Sequence, residues 1–260
     1  MIPERYVEEW WEYTPWQFLP MIEQDMIISR ALVELYSNPY IKEKLIFRGG
    51  TALNKLFMNP AARYSEDIDL VQIKAEPIGN MIDIIRDVLK PWLGEPKRKL
   101  TERSAKLLYA YRAIGGIPAK LKLEINTTEH INILPIQHIP FSMQSNWFGG
   151  GCEISTYALA ELLATKLRAL YQRRKGRDLF DLWYILKDID IDIHKIIHIF
   201  HEYCRMNNTF ISREAFLENL ANKRQHEDFK YDMNVLLPRT IEWDFETAYE
   251  YVINTIILEL

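Results

Sequence analysis

Leu45-Ile46-Phe47-Arg48-Gly49-Gly50-Thr51-Ala52-Leu53-Asn54-Lys55-Leu56-Phe57, followed after a short linker by Arg63-Tyr64-Ser65-Glu66-Asp67-Ile68-Asp69-Leu70, is the stretch around which the rest of the chain can be ordered. An apolar run meets two glycines, a short amphipathic segment follows, and two aspartates appear one residue apart. If residues 67–71 are extended, alternate side chains share a face, so Asp67 and Asp69 point one way and Ile68 and Leu70 the other. Two adjacent carboxylates repel each other unless a positive charge sits between them. A hard divalent cation that prefers oxygen ligands and accompanies triphosphates, Mg²⁺ with Mn²⁺ as its substitute, is the expected partner.

Moving outward, residues 4–13 and 20–37 are predicted helices, the second carrying Met21, Ile22, Met26, Ile27, Ala31, Leu32 and Leu35 near a 3.6-residue repeat. Pro39 is expected to end it. A strand at 45–47, a turn at Gly49-Gly50-Thr51, a helix at 52–57 and a strand at 67–73 follow. A helix at 78–89 is expected to stop at Pro91. Two alternating runs, 105–114 and 120–127, flank the turn-like Gly115-Gly116-Ile117-Pro118. In the second run Leu121, Leu123 and Ile125 face one side, while Lys120, Lys122, Glu124 and Asn126 face the other. Glu124 therefore stands on a polar face where a third metal-binding carboxylate would be wanted. A further extended piece is expected near 153–155. Helices are predicted at 157–173, 178–188, 193–206, 212–222 and 245–258. The division that follows is an α/β domain at 1–155, with N-terminal helices, and a helical domain at 156–260 that completes the cleft.

The totals agree with an ordinary globular protein. The chain has 260 residues, 48% hydrophobic and 26% charged, enough for one large or two small domains. No apolar stretch reaches membrane-spanning length, and Met1-Ile2-Pro3-Glu4-Arg5-Tyr6 does not resemble a secretion signal. Cys152 and Cys204 show neither metal-ligand spacing nor a disulfide framework, so a reducing cytoplasm is the expected location. The net charge is −4, yet Lys166–Arg177 holds six basic residues and no acidic one, leaving −10 on the remainder. Such a run describes either a solvated helix face or a seat for a polyanion.

Three constellations could carry chemistry. Asp67, Asp69 and Glu124 could hold a pair of ions about 3.5–4 Å apart for phosphoryl transfer. A bare Asp-x-Asp equally describes a solvated acidic turn; the glycines before it and Glu124 after it make the pattern more specific. Gly49 and Gly50 let backbone N–H groups approach an anion at a helix start, where Thr51 could add its hydroxyl. The alternative is a strand-to-helix turn capped by threonine, and the lysine with Ser/Thr of a P-loop is missing. Lys166, with Arg173 seven residues on and thus on one helix face, could grip a triphosphate; Arg173, Arg174, Lys175 and Arg177 could hold RNA. Asp178 could instead be a helix cap, and Asp181, among apolar neighbours, would need a partner such as an arginine. His194, His198 and His201 share a face without any supporting zinc pattern, and Trp10, Trp11 and Trp16 suit packing better than base stacking.

On Phe47-Arg48-Gly49-Gly50-Thr51-Ala52-Leu53, Arg63–Leu70, Leu121–Asn126 and the block from Ala164 to Leu182, the chain resembles the AbiEii/AbiGii family of nucleotidyltransferase-like toxins, which includes MenT-type toxins that modify tRNA. The resemblance implies an α+β fold: a polymerase-β-like nucleotidyltransferase domain with a small mixed or antiparallel sheet flanked by helices, then a helical C-terminal domain. It implies Asp67 and Asp69 as metal ligands, Gly50 and Thr51 on nucleotide phosphates, Lys166 at the nucleotide and Asp178 as a further active-site carboxylate. Arg63 and Ser65 would stand near the phosphates, and Glu124 takes the place of a third aspartate. The expected activity is Mg²⁺-dependent transfer of NMP from an NTP to a hydroxyl, on RNA and specifically tRNA. The setting would be a bacterial toxin–antitoxin or phage-abortive-infection system with a cognate antitoxin. A catalytically silent nucleotide- or partner-binding protein of the same fold is the alternative. A sugar-nucleotide glycosyltransferase is a second one, though it should show parallel βαβ units ahead of its Asp-x-Asp.

Overall fold

A computed structural model describes residues 2–260, which divide into two compact units with the boundary between Tyr157 and Ala158. The first unit is built on a seven-stranded mixed sheet. Its strands are β1 (Leu45–Arg48), β2 (Asp67–Gln72), β3 (Lys97–Leu100), β4 (Ser104–Arg112), β5 (Pro118–Asn126), β6 (Gln137–Gln144) and β7 (Gly149–Thr156), in the spatial order β3-β4-β5-β2-β1-β7-β6. β1 runs antiparallel to β2 and parallel to β7, and β2 runs parallel to β5. The outer pairs are antiparallel. Among the described residues no parallel βαβ unit, the arrangement expected of a glycosyltransferase, precedes Asp67.

The helices of this unit are α1 (Glu4–Trp10), α2 (Leu19–Tyr36), α3 (Pro39–Lys44), α4 (Gly49–Leu56) and α5 (Gly79–Leu93). α2 is buried along most of its length, with Ile22, Met26, Ala31, Leu32 and Leu35 at or near zero exposure. Pro39 does end α2, but it also opens α3. Proline suits a first helical turn because its missing N–H would have no partner there. Asn38 caps that turn, accepting from the Tyr40 and Ile41 amides at 3.0 and 3.3 Å. Pro91, expected to stop α5, lies inside it. It falls in the last turn, so the helix runs only two residues beyond it, and Gly94 closes the helix through its N–H to the Lys90 carbonyl at 3.1 Å.

The alternation in β5 appears as predicted, with Leu121, Leu123 and Ile125 fully buried. Ile68, Leu70 and Leu107 join them, and truncating any one of these to alanine would cost roughly 2–5 kcal/mol. Two strands were not expected. β3 is short and wholly exposed, so it shows no burial period. β6 has no apolar run and is held by register with β7, from Gln137 opposite Thr156 to Gln144 opposite Gly149. The extended piece expected near 153–155 is the end of β7, which begins earlier, at Gly149.

The second unit is helical: α6 (Leu159–Gln172), α7 (Gly176–Asp188), α8 (Ile193–Met206), α9 (Arg213–Arg224), α10 (Glu227–Lys230) and α11 (Phe245–Thr255). α10 was not anticipated, and α11 gives way to a 3₁₀ turn at Ile257–Glu259. The core draws Leu163 and Leu167 from α6, Phe180 and Leu182 from α7, Ile196 and Phe200 from α8, and Phe216 and Val252 from α9 and α11. Among the described residues no helix is long and apolar enough to cross a membrane.

Candidate active site

The junction of β1, α4 and β2 explains its own sequence. Arg48 is extended, and Gly49 then turns the chain at φ 81°, a left-handed value that penalises any side chain. A Cβ on Gly49 would lie 2.6 Å from Asp69 Oδ2, and one on Gly50 would collide with the Arg63 guanidinium. The two glycines therefore admit a carboxylate on one and a buried cation on the other. Arg63 is 2% exposed and donates to the Tyr64 carbonyl at 3.1 Å, placing its charge against the first turn of α4. Thr51, expected to offer its hydroxyl to a phosphate, instead donates it to the Asp67 carbonyl at 2.5 Å, with Ser65 Oγ 2.6 Å away. Its proton is committed to positioning β2. Asn54 bonds the Gly50 carbonyl at 2.8 Å and accepts from the Ala62 and Arg63 amides at 3.0 and 3.1 Å. It pins the linker to α4.

Register sets the carboxylates. Asp69 lies between Arg48 of β1 and Glu124 of β5, and Asp67 lies opposite Lys122. Lys122 Nζ is 2.6 Å from Asp67 Oδ2 and 3.4 Å from Glu124 Oε2; Lys106 Nζ is 2.9 Å from Glu124 Oε1. Burial raises the Asp69 pKa and the charge of Asp67 adds to it, against the pull of Arg48 and Lys122. Glu124 is shifted the other way. Burial works against its charge, but the Lys106 hydrogen bond and the two lysine charges outweigh it. Lys122 is raised too: burial opposes its charge, and its hydrogen bond to Asp67 prevails. The protein thus supplies part of the positive charge that the sequence assigned to a cation.

Asp67 and Asp69 present oxygen donors on one face, the donor chemistry that a hard divalent ion takes. The three-carboxylate set does not fit as expected. Among the described residues no three His, Cys, Asp or Glu side chains converge as a metal site, because Glu124 is taken by two lysines.

The second unit holds its own cluster. Lys166, 5% exposed on α6, places Nζ 2.8 Å from Asp181 Oδ2 and 3.1 Å from Asp178 Oδ1. Arg173 forks onto Asp178 with Nε–Oδ2 2.6 Å and Nη2–Oδ1 2.8 Å. Two expectations change. α6 ends at Gln172, so Arg173 reaches Asp178 from beyond the helix rather than from the Lys166 face. Asp178 is the third residue of α7 and makes no cap; burial would raise its pKa, but Lys166 and Arg173 bring it down to about 2. Asp181 does find a cation, Lys166. The rest of the basic run is largely paired: Arg174 with Asp228 at 3.0 Å and Arg177 with Asp232 at 3.7 Å. His194 and His198 are exposed along α8. Trp10 and Trp16 are buried donors to Asp25, which also takes Lys55 at 2.7 Å.

Asn54, Arg48, Lys106 and Lys122 were missed as site residues. For Lys122 the signal was present, since it shares the polar face of β5 with Glu124. For Asn54 there was none, because its partners are backbone groups.

The sequence matches the family described as nucleotidyl transferase AbiEii toxin, Type IV TA system, over residues 30–251. The chain belongs to that family. It is accordingly a nucleotidyltransferase of the toxin type. Its fold is similar to that of MenT4, a nucleotidyltransferase toxin of Mycobacterium tuberculosis, with a TM-score of 0.69 at 17% identity over 98% of this chain and 88% of that one. It is also similar to JHP933 of Helicobacter pylori, with a TM-score of 0.55 at 17% identity over 88% and 87% of the two chains. At such identities these likenesses concern the fold alone. A comparison with curated protein sequences finds no match. Nucleotidyltransferases of the AbiEii kind generally use divalent metals.

Proposed function

We propose that this AbiEii-family protein transfers NMP from an NTP to a hydroxyl of RNA, with tRNA the favoured acceptor, using Mg²⁺ or Mn²⁺ held by Asp67 and Asp69. One observation carries the proposal: two carboxylates share a face of β2 beside the glycine-led start of α4, with the Gly49 backbone pressed against Asp69. A bound divalent ion would supply Lewis-acid stabilisation of phosphoryl charge. The amides at the start of α4 present N–H groups to an anion, and the helix dipole and Arg63 beneath favour negative charge there. Lys122 would lend a proton-rich point charge beside Asp67, and Glu124 would act through Lys122 and Lys106 by holding them in place.

Gly49, Gly50, Thr51, Arg63 and Ser65 shape the phosphate seat through the backbone; Lys166 and Asp178, which the family resemblance alone puts at the nucleotide, are buried against each other and are given the supporting role of tying α6 to α7. The protein would act as the toxin of a toxin–antitoxin pair, with a cognate antitoxin as partner and no membrane involvement. The experiment is to incubate the protein with labelled NTPs and total tRNA, with Mg²⁺ or with chelator. Transfer that needs the metal and disappears in Asp67→Ala is expected. Transfer that persists in Asp67→Ala sinks the mechanism, and nucleotide binding with no transferred label would favour the silent protein.

A further inference from the structure

The face that carries Asp67 and Asp69 continues across the sheet to its free edge. Directly paired residues of neighbouring strands project to the same side, so register defines rows. One row runs Arg48, Asp69, Glu124, Lys106, Lys99 from β1 to β3; the next runs Asp67, Lys122, Leu108, Lys97. Charge along the first row passes from negative at Asp69 and Glu124 to positive at Lys106 and Lys99. Lys97 and Lys99 are exposed on the edge strand, and no described carboxylate pairs with either. Glu95, at the start of this region, is taken by Arg86 and Lys90, which leaves Glu102 in the β3–β4 turn as the nearby acid without a described ion pair. Arg98 lies one residue off and so projects to the opposite face, in the row of Leu107, Leu123 and Ile68.

We propose that the face of β3, β4 and β5 bearing Lys97, Lys99 and Lys106 is the track along which acceptor RNA lies as its reactive end approaches Asp67 and Asp69. The proposal rests on the nucleotidyltransfer reading above and adds the place of the acceptor. It moves the RNA contact away from Arg173, Arg174 and Arg177, whose charges are met by Asp178, Asp228 and Asp232. From β2 to β3 is three strand spacings, about 14 Å. That span matches about four nucleotides of stacked strand at ~3.4 Å each. Lysines are point charges suited to phosphates without regard to base, so the track orients the acceptor and leaves sequence choice elsewhere.

Edge-strand lysines also prevent strand-to-strand aggregation, and that role would treat Lys97, Arg98 and Lys99 alike. The test uses the pleat to separate the two. Full-length Lys97→Glu/Lys99→Glu, Arg98→Glu and Arg174→Glu/Lys175→Glu are compared with the unchanged protein for fluorescent tRNA binding across a salt series and for NMP transfer. The Lys97/Lys99 variant is expected to bind at least ~10-fold more weakly, with a log–log salt slope shallower by about 1.5. The other two should stay within about threefold. Unchanged tRNA affinity in the Lys97/Lys99 variant, equal losses in all three, or aggregation alone would overturn the track. Poly-L-glutamate binding as tightly as tRNA, and lost in the same variant, would overturn it in favour of an acidic protein. Weakened tRNA binding in a protein that transfers no NMP to any acceptor would leave the track standing and remove the enzymatic reading. Undiminished transfer to tRNA by the Lys97/Lys99 variant would do the reverse.

Discussion

Asp67, Asp69 and Glu124 with Lys122, Lys106 and Arg48 make one ionic cluster; Asp178 and Asp181 with Lys166 and Arg173 make another. Their chemistry is alike, and their surroundings are not. In the first, Asp67 and Glu124 side chains keep 37% and 27% of their exposure, and burial, with the charge of Asp67 beside it, raises the Asp69 pKa. In the second, both aspartates are fully buried and Lys166 nearly so. An open cluster whose carboxylates keep part of their exposure is suited to receive a cation or a substrate. A closed one holds helices α6 and α7 together, because stranding a buried charge costs far more than an exposed pair is worth.

The sharpest way to break this contrast is to remove one carboxylate from each cluster. Asp67→Ala should lower NMP transfer by at least ~10³-fold, about 4 kcal/mol of transition-state stabilisation, while urea unfolding shifts by less than about 1 kcal/mol. Asp181→Ala should do the opposite to the fold, costing roughly 3–5 kcal/mol in the same unfolding measurement because Lys166 loses its nearest partner. Lys166→Met/Asp181→Leu removes one charge of each sign and leaves Asp178 with Arg173. It should lose less stability than Asp181→Ala alone, and equal losses would show that the charge is not what matters there.

Acid distinguishes Asp178 from Asp69 by sign. The Asp178 pKa falls from 3.8 to about 2 in the folded protein, so its ion pairs contribute stability fully above about pH 4 and lose it as pH drops through 2. The contribution is about 2 kcal/mol and should vanish from the pH dependence of unfolding in Asp178→Asn. Asp69 is raised, so its ionisation costs stability as pH rises and acid relieves that cost. At the small end, Gly49→Ala should cost about 1–3 kcal/mol, from its left-handed backbone and the approach of Asp69. Arg174→Ala, on an exposed pair, should change stability by less than about 1 kcal/mol in thermal unfolding.

Much of the fold was legible, for a local reason. The burial period of β5 and the 3.6-residue repeat of α2 are written within their own segments. The block at 45–70 showed a strand, a glycine turn, a helix and a strand because glycine and alternation act over a few residues. The misses share a reason as well. β3 and β6 bury little and exist because β4 and β7 supply their hydrogen bonds, and α5 runs two residues past Pro91 before it ends. Asn54 was invisible because a single amide bonding three backbone groups leaves no pattern in residue types.

By itself, then, the sequence determined the pair Asp67 and Asp69 on one face, the glycines where the chain leaves β1 and α4 begins, and the change to helix after residue 157, since these follow from periodicity and backbone freedom. Only the tertiary structure decided what surrounds those carboxylates. Strand register brings Lys122 to Asp67 and Lys106 to Glu124, and chain folding carries Lys166 to Asp178 and Asp181. Charge acts through space, so its balance at any point depends on partners 12 to 55 residues away that no local pattern can name.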